Sequence, residues 1–186
     1  FTCIATVITI INSAMCGYVF ARGNFKLKKP ILAVFTSLMF ISLGSITIYP
    51  TFEVLTTLHL NKSLWGLIVM SCFGIPVVNM YLVRGFVNSI PKEIDEAAKI
   101  DGCSFFRIFW NIISPMLSPV LTTIGILAFN ANWNSYIMPA VFTMNNPKQA
   151  TLIVGIMSLK NSGLGVSSWN LMIAATVISM LPVLVL

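Results

Sequence analysis

Long apolar runs alternate with short polar ones along this chain, and the run lengths carry the first structural information. A membrane-crossing helix needs about 20 mostly apolar residues. Residues 1–20 have no charged side chain and predict a first span. A short basic segment follows at 21–30, with Arg22, Lys26, Lys28 and Lys29. Residues 31–49 predict a second span, and 50–63 read as a polar loop holding Glu53, His59 and Lys62. Residues 64–83 predict a third span, kinked or loosened by Gly74 and Pro76, since proline lacks the N–H that a helix interior uses. The segment 111–147 has no charge but is too long for one simple span. It divides into a fourth span at about 116–130 and a partly buried or re-entrant segment around 133–142. A polar stretch with glycines and serines fills 147–168, and 169–186 predicts a fifth span. The expected fold is all-α and polytopic.

Composition agrees. The chain is 57% hydrophobic and 9% charged, with mean hydropathy +0.91. A soluble domain carries about 25% charged residues, so an integral membrane protein is the class that fits. The net charge of +6 reports topology. Alternating spans put Arg22, Lys26, Lys28, Lys29, Arg84, Lys92, Lys99 and Arg107 on one side, and Lys62, Lys148 and Lys160 on the other. The excess of Lys and Arg marks the first side as cytoplasmic. No basic cluster is interleaved with aromatics, so nucleic acid is not an expected partner.

One stretch departs from the apolar background. Residues 88–119 read NSIPKEIDEAAKIDGCSFFRIFWNIISPMLSP and concentrate Lys92, Glu93, Asp95, Glu96, Lys99, Asp101 and Arg107, with Arg84 just before them. Pro91 suits a helix's first turn. Glu93, Asp95 and Glu96 favour the positive end of the helix dipole. Asp95 and Lys99 are spaced to pair, and Ile90, Ile94 and Ala97 to share a face. Gly102 stands where a helix commonly ends in a left-handed residue. Ser104 can cap a second helix beginning at Phe105 and Phe106. The pattern is helix, glycine turn, helix, with Pro115 and Pro119 leading into the next span. Taken as residues alone, it reads equally as an amphipathic linker or as a surface offered to a soluble partner.

The run Glu96-Ala97-Ala98, then Asp101-Gly102, then Pro115 resembles the EAA loop of ABC importer permeases. Over its full length the stretch is similar to the sugar-importer branch, the group containing the smaller maltose permease subunit. Ser114 stands where that pattern has Leu, and Cys103 where it has Ala. Weaker likeness extends to Trp65-Gly66-Leu67, to Asn132-Trp133-Asn134 and to the closing LPVLVL. The resemblance implies a single transmembrane domain over 1–186, with five of six spans visible and both termini truncated. It implies a multi-pass protein of the bacterial plasma membrane whose EAA-like loop is a cytoplasmic coupling helix. The implied partners are the lipid bilayer, two ABC ATPase subunits, a second permease subunit and an extracellular solute-binding protein. ATP would be bound by the ATPases, and no cofactor by this chain. The implied coupling residues are Glu96, Ala97, Ala98, Asp101, Gly102, Phe105, Phe106 and Phe109. Glu96 would offer a carboxylate to the ATPase, the alanines close approach, Gly102 a sharp turn, and the phenylalanines apolar anchorage.

Other chemistry is sparse. There is no GxxxxGK[ST] phosphate loop, no GxSxG and no HExxH. The lone His59 reads as a solvated loop residue. Cys3, Cys16, Cys72 and Cys103 include no close pair and read as small apolar residues, not as a disulfide or zinc framework. No catalytic or metal-ligating residue is singled out, and enzyme activity is not expected. Polar groups within the predicted spans are Asn12, Ser13, Thr36, Ser37, Ser42, Ser45, Asn79, Thr122, Thr123 and Asn130. Most read as bonds between helices or back to their own helix. Asn79, just past Pro76, is a candidate for a translocation path. So is the cluster Asn130, Asn132, Trp133, Asn134 and Tyr136, since amides and aromatics suit sugar hydroxyls and faces. An interfacial aromatic belt is the other reading of that cluster. The segment 141–168, with Gly155, Gly163 and Gly165, would by resemblance face the binding protein. The function implied is a permease subunit of an ATP-driven sugar or oligosaccharide importer. The alternatives are an ABC permease for glycerol phosphate, an amino acid or a peptide, and an ATPase-independent secondary transporter. Cationic groups within the spans would favour a phosphate-bearing solute and carboxylates the secondary transporter, and the predicted spans contain neither.

Overall fold

Helix α1, Thr2–Arg22, runs unbroken through the first apolar segment. Its 21 residues rise about 30 Å at 1.5 Å each, the thickness of a bilayer's hydrocarbon core. The structure, a computed structural model, describes residues 1–41, 44–60, 63–143, 149–161 and 166–185; within these, the side chains of 45, 160, 161 and 166–168 are left out. Among the described residues α1 is the single helix long and apolar enough to cross a membrane by itself. The number rises to three if two bent pairs, Leu64–Phe73 with Val77–Ser89 and Phe105–Met116 with Ser118–Trp133, each count as one.

The second predicted span is not one helix. Helix α2, Lys28–Phe40, stops short, and a 3-10 turn at Gly44–Thr47 leads into α3, Ile48–Thr57. Much of the expected polar loop 50–63 is therefore helical. Pro50 lies in the first turn of α3, where its missing N–H costs no bond. Helix α3 ends with His59 at φ 56°. The Leu60 N–H reaches the Leu55 carbonyl at 2.8 Å, and the His59 N–H that of Thr56 at 3.0 Å. That pattern is a Schellman cap, so His59 is exposed but conformationally committed.

The expected kink at Gly74 and Pro76 is a full break between α4, Leu64–Phe73, and α5, Val77–Ser89. Pro76 has no N–H for the Cys72 carbonyl four residues earlier. The Asn12 amide of α1 replaces it, donating to the carbonyls of Cys72 at 3.1 Å and Gly74 at 3.2 Å. Such side-chain replacement is what makes broken helices tolerable away from water. Other span hydroxyls bond back to their own helix. Ser13, Thr36, Ser37, Thr122 and Thr123 each donate to the carbonyl four residues before. Ser42 and the Ser45 side chain lie outside the described residues.

The remaining helices are α6, Lys92–Ile100; α7, Phe105–Ile108; α8, Ser114–Met116; α9, Ser118–Trp133; α10, Ile137–Thr143; α11, Leu152–Asn161; and α12, Val166–Val185. A π-helical turn, Phe109–Ile113, joins α7 to α8. Pro115 explains it, because an α-helical register would press its ring on the Asn111 carbonyl. The path bends by 79° before α9. The expected re-entrant segment contains α10. The expected flexible stretch 141–168 contains α11, which includes Gly155; Gly163 and Gly165 lie outside the described residues.

The chain divides into two units. The first, Phe1–Ala5, Gly44–Ser71 and Phe129–Leu186, packs around Leu55, Leu67 and Phe142. The second, Thr6–Leu43 and Cys72–Ala128, packs around Tyr18, Val83, Val87, Ile108, Phe109 and Ile113. In the second unit α1 and α5 cross closely: a Cβ on Gly17 would stand 2.5 Å from the Val83 Cβ.

Candidate functional site

Helix α6 carries the charged motif, and its sequence explains which face it buries. Pro91 is its N-cap residue, not its first turn, with ψ 137° directing the chain out of α5. Ile94, Asp95 and Ala98 face the second unit's core, while Glu96 and Ala97 are exposed. Ile90 and Ile94 pack in the core as expected from spacing, but Ala98, not Ala97, completes the buried face.

The reason is Asp95. It does not pair with Lys99. Its Oδ2 lies 2.7 Å from Arg22 Nε, and both side chains are nearly inaccessible, at 7% and 8% exposure. The Tyr18 hydroxyl donates to Asp95 Oδ1 at 3.3 Å. The same guanidinium donates through Nη2 to the Ile90 carbonyl at 2.6 Å. A buried ion pair is tolerable only when further hydrogen bonds satisfy both ions, and each ion here has one. Arg22 is the last residue of α1, a favourable place for a cation against the helix dipole.

The end of α6 is local in origin. Gly102 has φ +77°. The Cys103 N–H bonds the Ala98 carbonyl at 2.9 Å and the Gly102 N–H that of Lys99 at 3.0 Å, a second Schellman cap. The Ser104 hydroxyl accepts from the Arg107 N–H at 3.4 Å, opening α7. Phe105 and Phe109 lie against Tyr18, with ring centroids at 4.7 and 5.2 Å. Phe106 does not join them; it is 62% exposed, as Ile100 is 87% exposed. The outward surface of the motif thus combines Glu93, Glu96, Ala97 and Lys99 with two large apolar side chains on either side of the Gly102 turn. Aliphatic and aromatic groups of this size on a charged helix suit contact with another protein.

Beside α6 is a polar cavity of about 500 Å³, lined by Arg22, Asn24, Lys28, Lys92, Asp95, Glu96 and Lys99 among others. Lys28 donates to the carbonyls of Ala21 and Gly23 at 3.1 and 3.0 Å, closing the C-terminal end of α1. Burial, and then the neighbouring Arg84 and Lys92 cations, hold the Lys28 ammonium below the usual lysine range. Tyr18 and Arg22 were not among the residues singled out in the sequence. Arg22 carried a signal all the same, as the first charged side chain after twenty-one uncharged ones.

The path candidates fall in both units. Asn79 is half-buried on α5, in the second unit. In the first, Asn134 Nδ2 donates to the Asn130 carbonyl at 3.0 Å and also reaches the Asn130 side chain. Asn132 is half-buried, and Tyr136 is exposed. Trp133 is engaged within the fold: its Nε1 donates to the Ser179 carbonyl of α12 at 3.0 Å, and its ring stacks on Phe129 at 5.7 Å. Trp133→Ala is therefore expected to cost on the order of 2 kcal/mol of stability from lost apolar burial and one hydrogen bond. Asn79→Ala, at a half-buried position, should leave the melting temperature of the purified protein unchanged. Equal melting of both variants and wild type would remove Trp133 as an anchor.

The profile of the family described as "Binding-protein-dependent transport system inner membrane component" matches residues 13–186. The chain is 32% identical over 185 residues to the galactooligosaccharides transport system permease protein GanQ of Bacillus subtilis, covering 97% of this chain and 64% of that one. It is 32% identical over 184 residues to the sulfoquinovosyl glycerol transport system permease protein SmoH of Agrobacterium fabrum, covering 98% and 63%. The chain spans 60–65% of the length of the first curated relatives it matches. Its fold is shared with a chain in the crystal structure of a bacterial ABC transporter involved in the import of the acidic polysaccharide alginate. The TM-score is 0.79 at 22% identity, covering 99% of this chain and 69% of that one.

Proposed function

Because the chain belongs to the family of binding-protein-dependent transport system inner membrane components, we propose that it is a permease subunit of an ATP-driven importer. Its solute is a sugar or oligosaccharide, delivered by an extracellular binding protein. The observation that carries the reading is α6: a short charged helix, anchored on one face and exposed on the other, closed by the Gly102 turn. It docks on a cytoplasmic ABC ATPase. Two ATPase subunits bind ATP and close on it, a second permease completes the pathway, and the role of this chain is transport, not catalysis. The transmembrane domain is multi-pass in the bacterial plasma membrane, with α6 on its cytoplasmic side. The Lys and Arg bias sets its orientation.

In this reading the residues have distinct tasks. Glu96 presents a carboxylate to a basic group of the ATPase, and the exposed Ala97 lets the two surfaces approach. Ile100 and Phe106, exposed on either side of the turn, fill apolar hollows of the partner. Ala98, Phe105 and Phe109 face the permease itself and hold α6 and α7 in place. Asp101 ends α6, and Gly102 turns the chain. Asn79 in the second unit, and separately Asn130, Asn132, Asn134 and Tyr136 in the first, offer polar groups to the solute, since amides bond sugar hydroxyls.

The test is co-purification of the full-length tagged chain with its partner permease and ATPase. Gly102→Asp places a side chain at φ +77°, a region that costs L-residues about 1–2 kcal/mol. It also adds a second carboxylate beside Asp101 at the negative end of α6. A Cβ there meets no atom within 4 Å, so insertion and folding should survive. The wild-type chain should retain the ATPase; the variant should reach the membrane and lose ATPase binding or uptake. Normal uptake by Gly102→Asp, or an intact membrane complex without ATPase, would overturn the proposal.

A further inference from the structure

Helix α6 has nine residues, too few to hold its shape alone in water. Both of its covalent connections are joints: Ile90 and Pro91 are extended before it, and Gly102 turns the chain after it. A push on the outward face of α6 therefore does not travel rigidly along the chain. The rigid connection is lateral and starts from the middle of α6. Asp95 is held at 2.7 Å by Arg22 and by the Tyr18 hydroxyl at 3.3 Å. Arg22 also grips the Ile90 carbonyl at 2.6 Å, which ties the joint preceding α6 to the same side chain. Tyr18 and Arg22 lie one turn apart on α1, and α1 continues without a break to Thr2. Phe105 and Phe109, packed at a tilt against the Tyr18 ring, bring the segment after Gly102 onto the same post.

We infer that Tyr18, Arg22 and Asp95 form a strut that converts movement of α6 into movement of α1, making them positioning residues for energy coupling and not only for folding. The inference rests on the reading of α6 as the ATPase-docking helix. A direct ion pair with two supporting hydrogen bonds resists displacement in several directions, whereas apolar side chains of similar volume fill the same space but slide. This difference separates a strut from a core filler. Replacing a buried ion pair by apolar residues is often neutral for stability, so stability and coupling respond differently to the same variant.

The experiment uses the full-length chain assembled with its partner permease and ATPases in lipid nanodiscs. The native cysteines are replaced and Ile11→Cys is introduced on α1, at a position 40% exposed. The rate of maleimide labelling is read with and without a non-hydrolysable ATP analogue. With the strut intact, nucleotide should change the rate by about fivefold or more. In the double variant Arg22→Met with Asp95→Leu, the ATPase should co-purify in wild-type amount and the nucleotide response should vanish. Exchange of the charges, Arg22→Asp with Asp95→Arg, should restore part of it. Tyr18→Phe, which removes one hydroxyl, should give an intermediate response without loss of expression. A full response in the apolar double variant, with Tyr18→Phe also at the wild-type level, would overturn the strut and leave the docking reading standing. If the ATPase fails to co-purify even with the unaltered chain, the docking reading itself falls and the strut with it.

Discussion

Asp95→Ala is expected to destabilise the folded chain by about 3–5 kcal/mol, the usual cost of leaving one ion of a buried pair without its partner. The Arg22 side chain is 8% exposed, so water from the neighbouring polar cavity makes up only part of the lost carboxylate's interaction. The Tyr18 hydroxyl loses its acceptor as well. For a chain of this size the melting temperature should fall by roughly 6–20 °C, measured on the purified protein in detergent. The double variant Arg22→Met with Asp95→Leu should recover most of that loss, because apolar groups of similar volume need no counter-ion. Lys99→Ala, which removes the partner suggested by spacing, should stay within about 0.5 kcal/mol of wild type, as for an exposed surface residue. Equal melting of Asp95→Ala and Lys99→Ala would show that the Arg22 pair contributes nothing.

Gly17→Leu should have the second large effect. A Cβ at this position would lie 2.5 Å from both Cβ and Cγ1 of Val83 and 3.1 Å from the Met80 carbonyl. Val83 is fully buried, and its Cβ is fixed to the α5 backbone, so no rotamer change relieves the contact. Helices α1 and α5 must separate. Overpacking of this kind costs about 1–3 kcal/mol, occasionally more, and leucine adds three carbons beyond the first. Gly17→Ala is the finer test. It gains about 1 kcal/mol of helix propensity yet should still melt below wild type. Val83→Gly combined with Gly17→Ala should restore part of the loss by moving the gap to the other helix. Gly85→Ala is the control, since a Cβ there meets nothing within 4 Å. It should be neutral or slightly stabilising. If Gly17→Ala and Gly85→Ala behave alike, the crossing is looser than the backbone distance indicates.

With α6 as the proposed docking helix, both effects bear on function through the same elements. The α1 and α5 crossing positions Arg22 at the end of α1, and Arg22 positions α6. A loosened crossing should weaken coupling without touching the outward surface of α6. Variants at Gly17 and at Glu96 are thus expected to separate: the first melts early with docking retained, the second melts normally with docking impaired.

Much of α6 was legible in the sequence because caps and turns are local chemistry. The Gly102 turn and the Ser104 cap each depend on a few adjacent residues, and both are present. The uninterrupted α1 was legible because its length and apolarity suffice by themselves. The second span was not, since a break near Gly44 and a helix that starts before Pro50 leave almost no trace in average hydropathy. Phe106 was grouped with Phe105 and Phe109 on apolarity alone, but only the packing against Tyr18 decides which phenylalanines turn inward.

The sequence by itself determined the all-α class of the protein, its unbroken first helix and the position of its charged motif, because apolar run length and helix capping act over short stretches of chain. Only the tertiary structure decided the partner of Asp95. Lys99 is four residues away and Arg22 seventy-three, and local spacing favours the nearer. The nearer lysine is solvated, however, while Asp95 is carried to a buried position where a carboxylate is tolerable only with a close cation and a hydrogen bond. The same reason assigned Asn12 to the carbonyls freed by Pro76. A group withdrawn from water takes the partner that the fold brings to it, however distant along the chain.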